Sequence, residues 1–204
     1  MGRMMTKALF SGCGPVAAAA LLLSVSHILP VSAETPAKVS EGAPASAAAN
    51  TPAAALSKAQ AELDTAWRAL EPLGFTAGLF AEAGSVVGYG TYVPRTKASF
   101  APTDTLVVYA QPVGYGYRET ETGYGIRLTA DYTLLTPSGQ VLAEEKGFAR
   151  LVADSREKRR ELYITLRLGF DGLRPGDYTL LARINDAVSG KSGELSLPFT
   201  VTAE

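Results

Sequence analysis

The second half of this chain alternates apolar and polar residues with a period of two, and nothing else in the sequence limits its fold as strongly. Ile126, Leu128, Ala130, Tyr132 and Leu134 interleave with Arg127, Thr129, Asp131 and Thr133. Leu162, Ile164, Leu166 and Leu168 interleave with Tyr163, Thr165 and Arg167, and the pattern returns at Tyr178, Leu180, Ala182 and Ile184 and again at Leu195, Leu197, Phe199 and Val201. Side chains of a strand point to opposite faces in turn, so each run predicts a strand with one buried and one wetter face. Weaker runs at 86–92, 105–111 and 140–150 bring the count to seven. Turn residues separate them at short spacing: Pro137-Ser138-Gly139, Asp171-Gly172, Pro175-Gly176 and Ser189-Gly190. Parallel neighbours need long crossover connections, and none is present. The expected architecture is all-β, a seven-stranded antiparallel sandwich over residues 85–204.

One turn carries a resemblance. Leu173-Arg174-Pro175-Gly176-Asp177-Tyr178, a Leu-x-Pro-Gly-x-Tyr pattern leading into the penultimate strand, resembles the fibronectin type III and related immunoglobulin-like folds. That likeness implies a Tyr178 hydroxyl bonded back to the backbone. The stretch 88–201 also resembles uncharacterised exported bacterial Ig-like domains. It shares their Gly-Tyr-Gly start, the step Phe100-Ala101-Pro102-Thr103-Asp104 into a Val-rich strand, and the Pro-Gly-x-Tyr-x-Leu motif near the end. The resemblance implies a fold and carries no activity. The Cys pair and core Trp of antibody domains are missing.

The N-terminal third reads differently. Arg3 and Lys7 precede an apolar run over 16–25, Pro30 breaks it, and Val31-Ser32-Ala33 suits signal peptidase. The expectation is a signal peptide over 1–33 and an exported protein, periplasmic or secreted. The run falls short of the roughly 20 residues of a bilayer span, so a cleaved signal leaves no stable membrane span; an uncleaved one would anchor the N-terminus in the inner membrane. Cys13 precedes the apolar run rather than following it, which is the wrong order for a lipoprotein signal. Residues 34–55 are rich in Ala, Pro, Ser and Thr, with Pro36, Pro44 and Pro52 set against helix, and read as a disordered spacer. A helix is expected over 56–73. Leu56, Ala59, Leu63, Ala66, Trp67 and Leu70 share one face, Ser57 with Gln60 fits a capping box, and Pro72-Leu73-Gly74 ends the run. Trp67 is either an anchor for a partner or a residue packed on the following domain.

Composition excludes several kinds of chemistry. The single Cys and single His (Cys13 and His27) and the three Met all lie within the first 27 residues. Beyond residue 33 there is no thiol, no imidazole and no disulfide, so thiol nucleophiles, His acid/base catalysis and ordinary zinc sites have no residues to use. No G-x-S-x-G, P-loop or Rossmann fingerprint occurs. Ser57-Lys58 and Lys191-Ser192 are adjacent pairs whose side chains diverge. The chain reads as non-enzymatic, with no cofactor and no metal. Asp154, Glu157, Asp171, Asp177 and Asp186 stand apart in sequence and read as solvated turn residues rather than calcium ligands. Removing Arg3 and Lys7 from the 19 basic residues leaves 17 against 20 acidic ones, a net of −3. That balance argues against nucleic acid.

Two local features remain as candidate sites. Gly-Tyr repeats occur at Gly88-Tyr89-Gly90, Gly114-Tyr115-Gly116-Tyr117 and Gly123-Tyr124-Gly125. Tyr115, Tyr117 and Tyr124 form either a recognition surface for glycan or protein, or turns and bulges whose tyrosines cover the core edge. The basic stretch Arg156-Glu157-Lys158-Arg159-Arg160-Glu161 reads either as a docking loop (Arg156, Lys158, Arg159, Arg160) or as a solvated loop. The expected role is a non-catalytic binding or assembly module of the bacterial cell envelope, with an envelope protein or glycan as partner. The alternatives are a carbohydrate-binding module using the Gly-Tyr loops and a structural accessory domain docked through the Trp67 helix.

Overall fold

The structure is a computed structural model that describes residues 51–203. The expected signal peptide and nearly all of the expected spacer lie outside the described residues. The described chain is mostly β, with one helix and nine strands.

Helix α1 spans Pro52–Ala69, four residues earlier at each end than the apolar period predicts. Pro52 is the cause. Proline lacks an N–H and has its φ preset, so it suits the first turn of a helix, where that donor would be unpaired anyway. Thr51 is the cap: its Oγ1 accepts from the Ala54 N–H at 3.2 Å. Ser57 is no cap; its hydroxyl donates to the Ala53 carbonyl at 3.0 Å inside the helix. Of the described residues, 51–63 belong to one compact unit, and those from Asp64 onward belong with the strands in another.

Strands β1 (Gly74–Phe80), β3 (Thr105–Val113) and β7 (Ile164–Gly169) form a three-stranded antiparallel sheet with β3 in the middle. The second sheet contains β2 (Ser99–Phe100), β4 (Arg118–Thr120), β5 (Gly123–Leu135), β6 (Val141–Ser155), β8 (Gly176–Asp186) and β9 (Ser192–Val201); it curls into a half-barrel. The count is therefore not seven. The run at 86–92 is a turn rather than a strand, because Gly88 and Thr91 pair with each other across it. Strands β1, β2 and β4 join those expected, and β2 pairs with β9 in parallel.

Strand β3 is buried along nearly its whole length, and each face has its own cover. Leu106 and Val108 enter the main core with Ile126, Leu128, Leu166, Leu180 and Ile184, so the two sheets share one interior. On the outer face, Tyr109 packs between Tyr92, at 4.1 Å between ring centroids, and Tyr163, at 5.8 Å. Its hydroxyl accepts from the Gly90 N–H at 2.8 Å. The 86–92 segment is thus folded down over the smaller sheet.

Strand β5 organises the larger sheet. Strand β6 runs along one of its edges from Tyr124 to Leu135, and the other edge is shared by β4 near Gly123 and β8 from Leu128 onward. The far edge of β6 pairs with no strand among the described residues.

Candidate functional site

The Gly-Tyr segment between β3 and β4 runs beneath the last turn of α1. Gly114 lets the two meet: its φ of 87° is left-handed, and a Cβ there would lie 2.8 Å from the Leu70 Cβ. Trp67 then reaches the next residue, with Nε1 donating to the Tyr115 carbonyl at 2.8 Å and the indole edge-on to the Tyr115 ring at 5.0 Å. Lys191 closes the helix end, its ammonium donating to the carbonyls of Arg68 at 2.7 Å and Leu70 at 2.6 Å. A cation at the C-terminus suits the helix dipole and satisfies carbonyls that have no intrahelical partner.

Three tyrosines continue from Trp67 in an edge-to-face series. Tyr115 and Tyr117 are 5.5 Å apart, and Tyr117 and Tyr124 are 6.2 Å apart at 76°. Both the Tyr115 and Tyr117 hydroxyls donate to the Arg159 carbonyl, at 2.7 and 2.6 Å. Burial pushes both phenols above their ordinary pKa, so they remain neutral donors. Tyr115 is buried, at 1% exposed, and cannot belong to an exposed patch. Tyr117 and Tyr124 are half-buried.

The basic loop closes the far wall. Asp64 lies one helical turn before Trp67 and takes Lys158 at 3.0 Å and Arg160 on its other oxygen. The Lys158 hydrogen bond, and after it that of Arg160, hold the Asp64 carboxyl below the usual carboxylate range. Lys158 also stands 5.6 Å over the Tyr124 ring. Of the four basic residues expected to dock, Lys158 and Arg160 are thus engaged by Asp64, and Arg159 supplies its backbone to the tyrosines. Arg156 is exposed. The result is a cleft of about 360 Å³ lined by Trp67, Tyr115, Tyr117, Tyr124, Lys158 and Ser189.

Beneath the cleft is Asp186, expected in the sequence to be a solvated turn residue but only 2% exposed. Its carboxylate accepts from the N–H groups of Gly116 at 2.6 Å, Val188 at 2.9 Å and Ser189 at 3.2 Å, and from the Ser189 hydroxyl. It fixes the 186–190 turn against the Gly-Tyr segment. Sequence reasoning missed Asp186, Asp64 and Lys191. Only Asp64 had a signal, its three-residue spacing from Trp67. Among the described residues, no group of His, Cys, Asp and Glu is placed to hold a metal ion, and no helix is long and apolar enough to cross a membrane.

Trp67 is committed to its own domain, whereas Leu56, Leu63 and Leu70 are exposed at 60%, 46% and 40%. No protein-family model matches the chain, and no curated protein matches it.

Proposed function

We propose that this protein is an exported, non-catalytic binding or assembly module of the bacterial cell envelope: an immunoglobulin-like β-sandwich whose cleft at the Gly-Tyr segment receives a partner. The shared interior of the two sheets supports the sandwich, as does the bond from the Tyr178 hydroxyl to the Arg174 carbonyl at 2.8 Å. One observation carries the binding role. The cleft exposes the half-buried rings of Tyr117 and Tyr124 on a scaffold held by the Tyr115 and Tyr117 bonds to the Arg159 carbonyl and by the Asp64 contacts with Lys158 and Arg160. Rigid aromatic rings lose little entropy on contact. Asp64, a carboxylate held by two cations, and Tyr115 and Tyr117, phenols kept neutral by burial, favour contact over proton transfer.

The partner is a protein segment. The Tyr117 and Tyr124 rings stand at 76° to one another and offer no flat tandem platform for a sugar, while a cleft flanked by Lys158 and Asp64 suits a chain carrying side chains of both kinds. A glycan is the alternative. The accessory-domain reading would have to use Leu56, Leu63 and Leu70 rather than Trp67.

Crosslinking in the producing cell tests the proposal. The expected result is a protein adduct of the wild type that is lost in Tyr124→Ala, a variant that removes a ring without removing a hydrogen bond to the core. An adduct retained by Tyr124→Ala, or none at all, would contradict it.

A further inference from the structure

The outer edge of β6 is specific, and its geometry follows from one hydrogen bond. The Arg127 carbonyl accepts from the Ala187 N–H at 2.9 Å, so Arg127 directs its backbone groups toward β8, and Ile126, Leu128 and Ala130 direct theirs toward β6. In an antiparallel ladder the bonded pairs are then Ile126 with Ala153, Leu128 with Leu151 and Ala130 with Ala149. Arg150, Val152 and Asp154 are left with their N–H and C=O groups facing outward, away from β5. All three side chains lie on the exposed face, with Val152 53% exposed.

An edge of this kind is a template for another strand unless it is blunted. The first half of β6 is blunted: Glu144, Glu145 and Lys146 precede Gly147, which makes an irregularity in the pairing and donates its N–H to Asp131 Oδ1 at 2.7 Å. From Ala149 to Ser155 the ladder is regular. We propose that this second half pairs antiparallel with the same segment of a second copy, about a two-fold axis at Val152.

Charge selects both the occupant and the register. A two-fold pair can centre on any residue from Arg150 to Asp154, since bonded and non-bonded pairs of an antiparallel ladder both lie on two-fold axes. Centring on Leu151 sets Arg150 opposite Val152 and Asp154 opposite Phe148, and centring on Ala153 sets Arg150 opposite Arg156, so neither pairs opposite charges. Centring on Arg150 or on Asp154 sets that residue against its own copy, like charge on like. Centring on Val152 sets Arg150 opposite Asp154 of the second copy, twice, with Val152 against Val152 between them. On the inner face, half-buried Leu151 then meets Ala153. Opposite charges and apolar pairs directly across a ladder stabilise it, and like charges destabilise it. Asp154 already holds Arg127 at 2.9 Å, but a carboxylate accepts more than one guanidinium donor. The contact is isologous, so it closes at two copies instead of growing. It is independent of the cleft.

Sedimentation of the purified full chain over a range of concentrations tests this. The expected result is a dimer. Val152→Pro removes an N–H that faces away from β5, and Arg150→Asp places like charges opposite each other at both ends. Each is expected to raise the dimer dissociation constant about tenfold or more with an unchanged monomer melt, and Arg150→Lys is expected to retain the dimer. A monomer at all concentrations, or a dimer indifferent to both variants, would overturn the proposal.

Discussion

Asp186 and Tyr178 show how much a single polar side chain contributes to holding this fold. Asp186 serves three backbone N–H groups and a hydroxyl at a nearly closed site, and its removal leaves those donors unpaired. Asp186→Ala is expected to cost about 2–4 kcal/mol in urea unfolding; a loss under about 1 kcal/mol would mean that water replaces the carboxylate. Tyr178 makes one bond, to the Arg174 carbonyl, near the surface. Tyr178→Phe is expected to cost about 1 kcal/mol, and no loss in the same measurement would remove the corner bond from the account. The Tyr178 bond was legible only through the resemblance of the Leu-x-Pro-Gly-x-Tyr turn to immunoglobulin-like folds, which implies it. Asp186 was not, because an acid before a turn looks the same whether its oxygens face solvent or backbone.

At the scale of elements, legibility followed length. Strands β5, β7, β8 and β9 run long enough on one buried face for alternation to identify them. Strand β1 carries glycines at 74 and 78 that dilute the pattern, and β2 and β4 hold two and three residues, too few to define a period. The 86–92 run failed for another reason: Val86 and Tyr92 pack down on the smaller sheet through the loop, not through a ladder, and Val87 and Tyr89 stay exposed. The docking of α1 was invisible because the Asp64 partners lie 94 and 96 residues away. That docking is sensitive to pH. Asp64 titrates below the ordinary Asp value of about 3.9, so its ionised contacts with Lys158 and Arg160 are fully present above that pH and are lost as pH falls through the depressed value. Trp67 is the only tryptophan in the chain. Its emission is expected to hold steady down to about pH 4 and to shift red below that, while Asp64→Asn is shifted at neutral pH and lacks the acid step. An identical acid step in Asp64→Asn would assign the transition to another group.

For the whole molecule, two of the three Gly-Tyr segments, the basic loop and the helix end were separate features in the sequence, each with a structural and a functional reading. The fold brings them to one cleft and divides their roles: Tyr115 and Trp67 pack, Asp64, Lys158 and Arg160 tie, and Tyr117 and Tyr124 remain half open. The central claim is that this opening receives a partner, and Trp67 reports on it directly from within the cleft wall. The decisive measurement is a titration of Trp67 emission with two envelope fractions, one of solubilised protein and one of protein-free glycan. The account predicts a saturable change with the protein fraction that Tyr124→Ala abolishes. A change with glycan alone would transfer the site to a carbohydrate, and a response of equal size in Tyr124→Ala, or no response to either fraction, would contradict the claim.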